Sequence, residues 1–111
     1  MQGGNLVISD VALARAIAVA VRAVPGVAEL SPGQSVEVAT YGAHEKVQGV
    51  IVRRVEGALD VDVHVCAQYA SSLDFNRLAA RVREATVQSL QAAGATQVNR
   101  IDVVFDDVRI G

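Results

Sequence analysis

The residues best suited to chemistry are Asp60, Asp62 and His64, which alternate with valines. Alternate residues of a strand project from one face, and carboxylates and imidazoles are ligands of divalent metals. Residues two apart on a strand lie about 7 Å apart, whereas metal–ligand bonds measure about 2.0 to 2.5 Å. One ion could therefore take two of these side chains, and further ligands would have to come from Asp102 or Asp106. The pattern favours a solvated polar face, and we expect neither a metal nor another cofactor.

Nucleophilic chemistry has one candidate, because Cys66 and His64 share a strand face and can touch. No third residue that would orient the histidine is identifiable, and a lone thiol among small residues is typical of a space-filling side chain. The adjacent Asp106 and Asp107 face opposite ways in an extended chain, so they form no acid/base pair. The sequence predicts no enzyme activity and no small-molecule substrate.

The element that carries these residues is the clearest in the sequence. Alternation over Leu59 to Tyr69 places apolar side chains on one face and polar ones on the other, which indicates a strand with one buried and one open face. Glu56-Gly57 predicts a hairpin turn before it, and residues 47–55 read as the preceding strand. Residues 36–41 could form a further short strand, whereas 28–34 read as a connection.

A first helix is predicted from Asp10 to Ala23, with Ser9 or Asp10 as its N-cap and Pro25-Gly26 after its end. Its apolar residues predict a core helix with a narrow wet face. Arg15 and Arg22 are seven residues apart and project from one stripe of that face. A sharper interpretation is that Val19, beside the arginines, is covered by a partner.

A second helix begins near Ser71 to Asp74 and ends before Gly94. Its predicted buried face comprises Phe75, Leu78, Val82, Ala85, Ser89 and Ala93. Its predicted solvated face comprises Arg77, Arg81, Glu84, Gln88 and Gln91. The last strand, residues 98–110, changes phase at Asp106-Asp107, which predicts a bulge or the strand end there.

The predicted order is therefore helix, strand, strand, helix, strand. This is an α+β fold, a two-layer sandwich with both helices on one face of a small mixed sheet. The length of 111 residues fits one domain spanning 1–111, with a core over about 6–108. The candidate partner surface comprises Arg15, Arg22, Asp60, Asp62 and His64.

The composition excludes several classes of protein. The chain has 10 basic and 12 acidic residues, a net charge of −2, so it lacks the basic excess of a general polyanion binder. One cysteine permits no internal disulfide, and the start at Met1 lacks the basic region of a secretory signal; both favour the cytoplasm. RNA binding is kept as the alternative function, in the form of a KH-like module that lacks the Gly-x-x-Gly loop. The basic groupings, Arg53-Arg54 and Arg77 with Arg81 and Arg83, are more typical of solvated faces.

Several segments together resemble the alkaline shock protein family, the envelope-stress proteins of Gram-positive bacteria, and in particular its compact actinobacterial members. The resemblance covers about residues 6–108 and rests on structural motifs rather than on a catalytic signature. The segments are Ile8-Ser9-Asp10 before the first helix, Val24-Pro25-Gly26-Val27-Ala28, Val38-Ala39-Thr40-Tyr41, Val47-Gln48-Gly49-Val50-Ile51-Val52, Ala67-Gln68-Tyr69 and Leu78-Ala79-Ala80-Arg81-Val82.

What the resemblance implies is a non-enzymatic cytoplasmic protein of envelope homeostasis. It implies a scaffold or adaptor that works through a protein partner, for which a small membrane anchor protein is one candidate, and that sits at the membrane through that partner. It also implies self-association into a homo-oligomer. The family offers no catalytic or ligand residues to carry over. The chain departs from it by lacking long charged tails and by a longer second-helix entry at residues 71–76.

Overall fold

The computed structural model describes residues 8–111. Residues 1–7, with the start of the predicted core and the signal-sequence prediction, lie outside the described residues. The elements in chain order are α1 (Asp10–Arg22), β1 (Val27–Leu30), β2 (Ala39–Tyr41), β3 (Lys46–Gln48), β4 (Val50–Val55), β5 (Ala58–Gln68), α2 (Phe75–Ala92) and β6 (Val98–Arg109).

Strand β5 is the centre of the main sheet. It pairs antiparallel with β4 and β1 and parallel with β6, while β2 and β3 form a separate two-stranded sheet. The backbone N–H groups of His64 and Gln68 donate to the carbonyls of Gly49 and Gly26. Those of Leu59 and Tyr69 donate to the carbonyls of Gln97 and Arg109. Strands β4 and β1 therefore lie end to end along one edge of β5, and β6 lies along the other.

Both helices cover the valine face of this sheet, as predicted. The buried face of α1 is Leu13, Ala14, Ile17, Ala18 and Val21. It packs with α2 against the odd-numbered residues of β5, which are Leu59, Val61, Val63, Val65 and Ala67. The α+β class and the placement of the helices on one face are confirmed, while the observed order contains additional strands.

The helix ends follow the local sequence. The Ser9 side chain accepts a hydrogen bond from the Ala12 amide at the start of α1, and Asp74 accepts one from the Arg77 amide at the start of α2. Gly94, with φ of 80°, follows α2, and the next amide, of Ala95, donates to the Leu90 carbonyl. This is a Schellman ending, which satisfies carbonyls that the helix leaves free.

Two strand predictions are wrong. Residues 27–30 form β1 although the sequence indicated a connection from residue 28, because four residues are too few to show a period. The predicted strand 47–55 is broken at Gly49, whose φ of 86° turns the chain between β3 and β4. A Cβ at Gly49 would lie 2.7 Å from Leu30 Cβ, so the strands approach too closely there for a side chain.

The buried face of α2 also differs from the prediction, at Phe75, which is 42% exposed, and beyond Val82. Leu78 and Val82 are buried as expected, but Thr86 and Leu90 follow them in the core instead of Ala85 and Ser89. The Thr86 hydroxyl donates to the Val82 carbonyl at 2.8 Å, which satisfies it inside the core. The five predicted solvated residues of α2 are exposed.

Candidate interaction surfaces

The polar face of β5 is less open than predicted, because side chains of the neighbouring strands cover part of it. Asp60 is buried and its Oδ1 accepts a hydrogen bond from the side-chain Nδ2 of Asn99 at 2.9 Å. Asp62 pairs with Arg53 of β4 at 3.1 Å. These partners come from the strands on both sides of β5, and a polar group that loses water must find such partners within the protein.

His64 lies at the bulge of β6. Its Nδ1 is 2.9 Å from Oδ2 of Asp106, and both side chains are largely buried. The register shifts after the Val65–Phe105 pair, so Asp106 is the extra residue, as the phase change at Asp106-Asp107 predicted. The bulge aims the Asp106 carboxylate at the imidazole.

Cys66 completes the covered polar face. It is 8% exposed, and burial, followed by the nearby carboxylates of Glu29 and Asp107, raises the pKa of its thiol above the ordinary value of 9.0. At neutral pH the side chain is a protonated thiol, which is a weak nucleophile. It therefore acts as part of the packing.

The structure does not combine the acidic residues and His64 into one ligand set. His64 meets Asp106, but Asp60 and Asp62 each take a separate partner. Arg100, 3.0 Å from Asp102, draws that carboxylate away as well. Within residues 8–111 no group of three or more His, Cys, Asp or Glu side chains is arranged to hold a metal ion.

Arg15 and Arg22 lie on the outer side of α1, in the helical layer, and so are separated from the polar face of the sheet. Arg15 forms a bidentate pair with Glu45, which lowers the pKa of that carboxyl group. Arg22 is exposed and has no ion-pair partner among the described residues. The candidate partner surface is therefore two surfaces on opposite layers.

The basic pair beside the hairpin is compensated. Arg53 binds Asp62, and Arg54 binds the Asp10 carboxylate at 2.9 Å and the Ile8 carbonyl at 2.8 Å. Because both arginines are paired with carboxylates of the same chain, less positive charge is available to attract phosphates.

A cavity of about 360 Å³ lies elsewhere, between the end of α1 and the start of α2. Its lining includes the apolar Pro25, Leu73 and Leu78 and the basic Arg77 and Arg81. It contains none of the five candidate residues. Neither helix of the described chain is long and apolar enough to span a bilayer.

Sequence reasoning missed the residues that close the polar face. Asn99 and Arg100 reach Asp60, and Arg109 reaches Glu29 of β1 at 2.6 Å. Their positions depend on the parallel pairing of β5 with β6, which joins residues about forty apart. The phase change at Asp106 was the one local signal.

Comparison with known proteins identifies one similarity. A family model described as alkaline shock protein 23 family, cell envelope-related function, matches residues 1–110, nearly the whole chain. The search of curated proteins and the search of solved structures found no match.

Proposed function

Because the chain belongs to the alkaline shock protein 23 family of cell-envelope-related proteins, we propose that it is a non-enzymatic scaffold or adaptor. It acts through protein–protein contacts near the cytoplasmic membrane. The observation that supports this proposal most directly is the outer stripe of α1, defined as Arg15, Val19 and Arg22.

Val19 is 61% exposed in the middle of this stripe, while the rest of the helix is strongly apolar. Arg15 lies one turn before it and Arg22 one turn after it, so the valine has a guanidinium on each side. Arginine is enriched among the interface residues that dominate binding, and such residues are surrounded by apolar contacts that exclude water. The stripe fits an apolar protein segment that carries a carboxylate on the Arg22 side of the apolar contact, because Arg15 is already paired with Glu45.

The polar sheet face is the weaker candidate. Its charges already pair with one another, as in Asp62–Arg53 and His64–Asp106. A partner that docked there would have to replace these contacts, and the loss would offset much of the gain. Arg22 requires no such exchange.

The partner proposed for the stripe is a protein held in the membrane, and a small membrane anchor protein fits this role. The adaptor would then be recovered with membranes although its own described helices do not span them. This arrangement agrees with the envelope-related role of the family.

The test is fractionation of the tagged protein in its native host. Val19→Asp and Arg22→Glu should each lower the share recovered with membranes by about tenfold, as expected for loss of a central binding residue. Arg81→Glu, on the exposed face of α2, is the matched control and should fractionate like the wild type.

Equal membrane recovery of all variants would contradict the stripe as the binding surface. Recovery of RNA that nuclease treatment removes, in salt-sensitive fashion, would move the function to the RNA-binding alternative. Circular dichroism of the purified variants checks that each is folded.

A further inference from the structure

Strand β6 is an edge strand of unusual length. It has twelve residues and pairs with β5 along one side only, and no described strand covers its other side. None of its residues is buried, although Ile101, Val103 and Phe105 pack on the core cluster. Long uncovered edges present free N–H and C=O groups that can pair with another chain.

The hydrogen-bonding direction of β6 follows from its pairing. Leu59 and Tyr69 of β5 donate toward β6, so the odd-numbered residues between them do the same. These residues lie opposite Ile101, Val103 and Phe105. In a parallel pair, when a residue of one strand directs both its N–H and its C=O toward the other strand, the residue opposite it directs its own N–H and C=O away. These three residues of β6 therefore point their N–H and C=O groups away from β5.

We propose that the outer edge of β6 pairs antiparallel with the same edge of a second copy of this chain, around a two-fold axis at Val103. In this register Val103 faces Val103 of the second copy, and Ile101 faces Phe105. Each of the three pairs exchanges two backbone hydrogen bonds through the outward groups of residues 101, 103 and 105, and the Ile101 carbonyl gives up its 3.4 Å contact with Arg83 Nε to do so. The interface is isologous, and the two main sheets become one.

The charges of β6 select this register. Arg100, Asp102 and Asp106 share the polar face, where Arg100 approaches Asp60 and Asp106 contacts His64. With the axis at Val103, no like charges lie directly opposite each other: Arg100, held by Asp102, lies opposite Asp106 of the second copy, which is held by His64. A shift of the axis to residue 102 places Asp102 opposite itself, and a shift to 104 places it opposite Asp106. Like charges directly opposite are destabilising.

The apolar face supports the same axis. Ile101, Val103 and Phe105 are only partly buried, and no strand within residues 8–111 lies beyond them. A second copy of the strand would bring the same three side chains against them, so the helix-covered layer continues across the axis. This inference goes beyond the proposed function, because α1 packs on the other part of the sheet.

The first test is the mass of the purified full chain by size-exclusion chromatography with light scattering. We expect twice the 11.6 kDa of one chain. Val103→Pro removes an outward N–H but no β5–β6 bond, so it should give a folded monomer. Val103→Thr keeps the N–H and the branched shape, and should remain a dimer. A wild type that is monomeric at all concentrations, or an unchanged dimer of Val103→Pro, would overturn the proposal.

The second test is disulfide trapping. In a hydrogen-bonded antiparallel pair the Cα atoms are about 5.5 Å apart, within the range of a disulfide. Val103→Cys should therefore form a covalent dimer on oxidation, while Val104→Cys, which faces residue 102 of the second copy, should not. Cys66 is buried and gives little background. Cross-linking of Val104→Cys without Val103→Cys would overturn the register. Neither test needs a membrane partner, so failure here is separate from failure of the α1 stripe.

Discussion

The Nδ1 of His64 and the Oδ2 of Asp106 are 2.9 Å apart, across the β5–β6 pair at the bulge of β6. The contact joins a side chain of the central strand to Asp106, which, like Asn99, has no partner in the β5–β6 ladder. The contact stabilises the sheet at the bulge, because the carboxylate that the bulge directs toward β5 finds a hydrogen-bonding partner there.

Loss of this pair should be costly. Asp106→Ala leaves the largely buried His64 without its partner, and we expect the free energy of unfolding to fall by about 1 to 3 kcal/mol. Asp102→Ala, on the same face but half exposed, should change it by less than about 0.5 kcal/mol. Urea unfolding of both variants checks this, and equal losses would contradict the special position of residue 106.

Val63 and Asp62 are neighbours on β5 with opposite expectations. Val63 is 0% exposed, so Val63→Asp places a carboxylate in the core, and we expect no cooperative thermal transition. Asp62→Ala breaks one partly exposed pair with Arg53 and should cost less than about 1 kcal/mol. A cooperative melt of Val63→Asp would contradict the assigned register of the strand. A large loss in Asp62→Ala would show that this pair contributes more than its exposure indicates.

Gly49 and Gly57 share a positive φ but differ in their surroundings. A Cβ at Gly49 would meet Leu30 Cβ at 2.7 Å and the carbonyls of Ser31 and His64 at 3.1 Å, whereas nothing lies within 4 Å at Gly57. Gly57→Ala should cost about 1 kcal/mol, the price of backbone strain alone. Gly49→Ala should cost at least about twice as much, because strand β1 must move. Calorimetry of the pair separates strain from steric conflict, and equal losses would contradict the close approach.

Stability at alkaline pH should depend on Cys66. Its thiol has a pKa raised by burial and by Glu29 and Asp107, so the folded state keeps the proton to higher pH than the unfolded state. The stability contributed by this group is therefore present below the unfolded pKa and is lost as the pH rises toward the folded one. From about pH 8 to about pH 10 the wild-type Tm should fall more than that of Cys66→Ala. Parallel curves would show that the thiol is not responsible.

The strongest sequence predictions concern local patterns. The alternation of β5, the caps at Ser9 and Asp74 and the Gly94 ending each depend on residues within one or two turns of each other. Glu56, with φ of 51°, and Gly57 form the predicted hairpin turn between Val55 and Ala58. The residue types in these segments determine the local structure, so it can be predicted without knowledge of the tertiary fold.

The missed features depend on distant partners. Residues 27–30 form a strand because they pair with residues 65–67 of β5. Four residues are too few to show a strand period in the sequence. The polar face of β5 looked open because Asn99 and Arg100 come close only through the crossover formed by α2. Thr86 was not among the predicted buried residues, since the hydrogen bond that satisfies its hydroxyl, to the Val82 carbonyl, cannot be seen from the residue type. Asp60, Asp62 and His64 lie together on β5, but Arg15 and Arg22, which were grouped with them, lie on α1, and the partners of the β5 residues could not be predicted.

The central position of β5 also governs how the molecule opens. Its amides alternate between the β4–β1 edge and the β6 edge, so no local fraying at either edge can release all of them. Hydrogen exchange along β5 then requires separation of both neighbours, and the slowest amides should report the opening of the whole domain. The exchange rate of the β5 amides therefore measures global unfolding, while the outer elements can fluctuate on faster timescales.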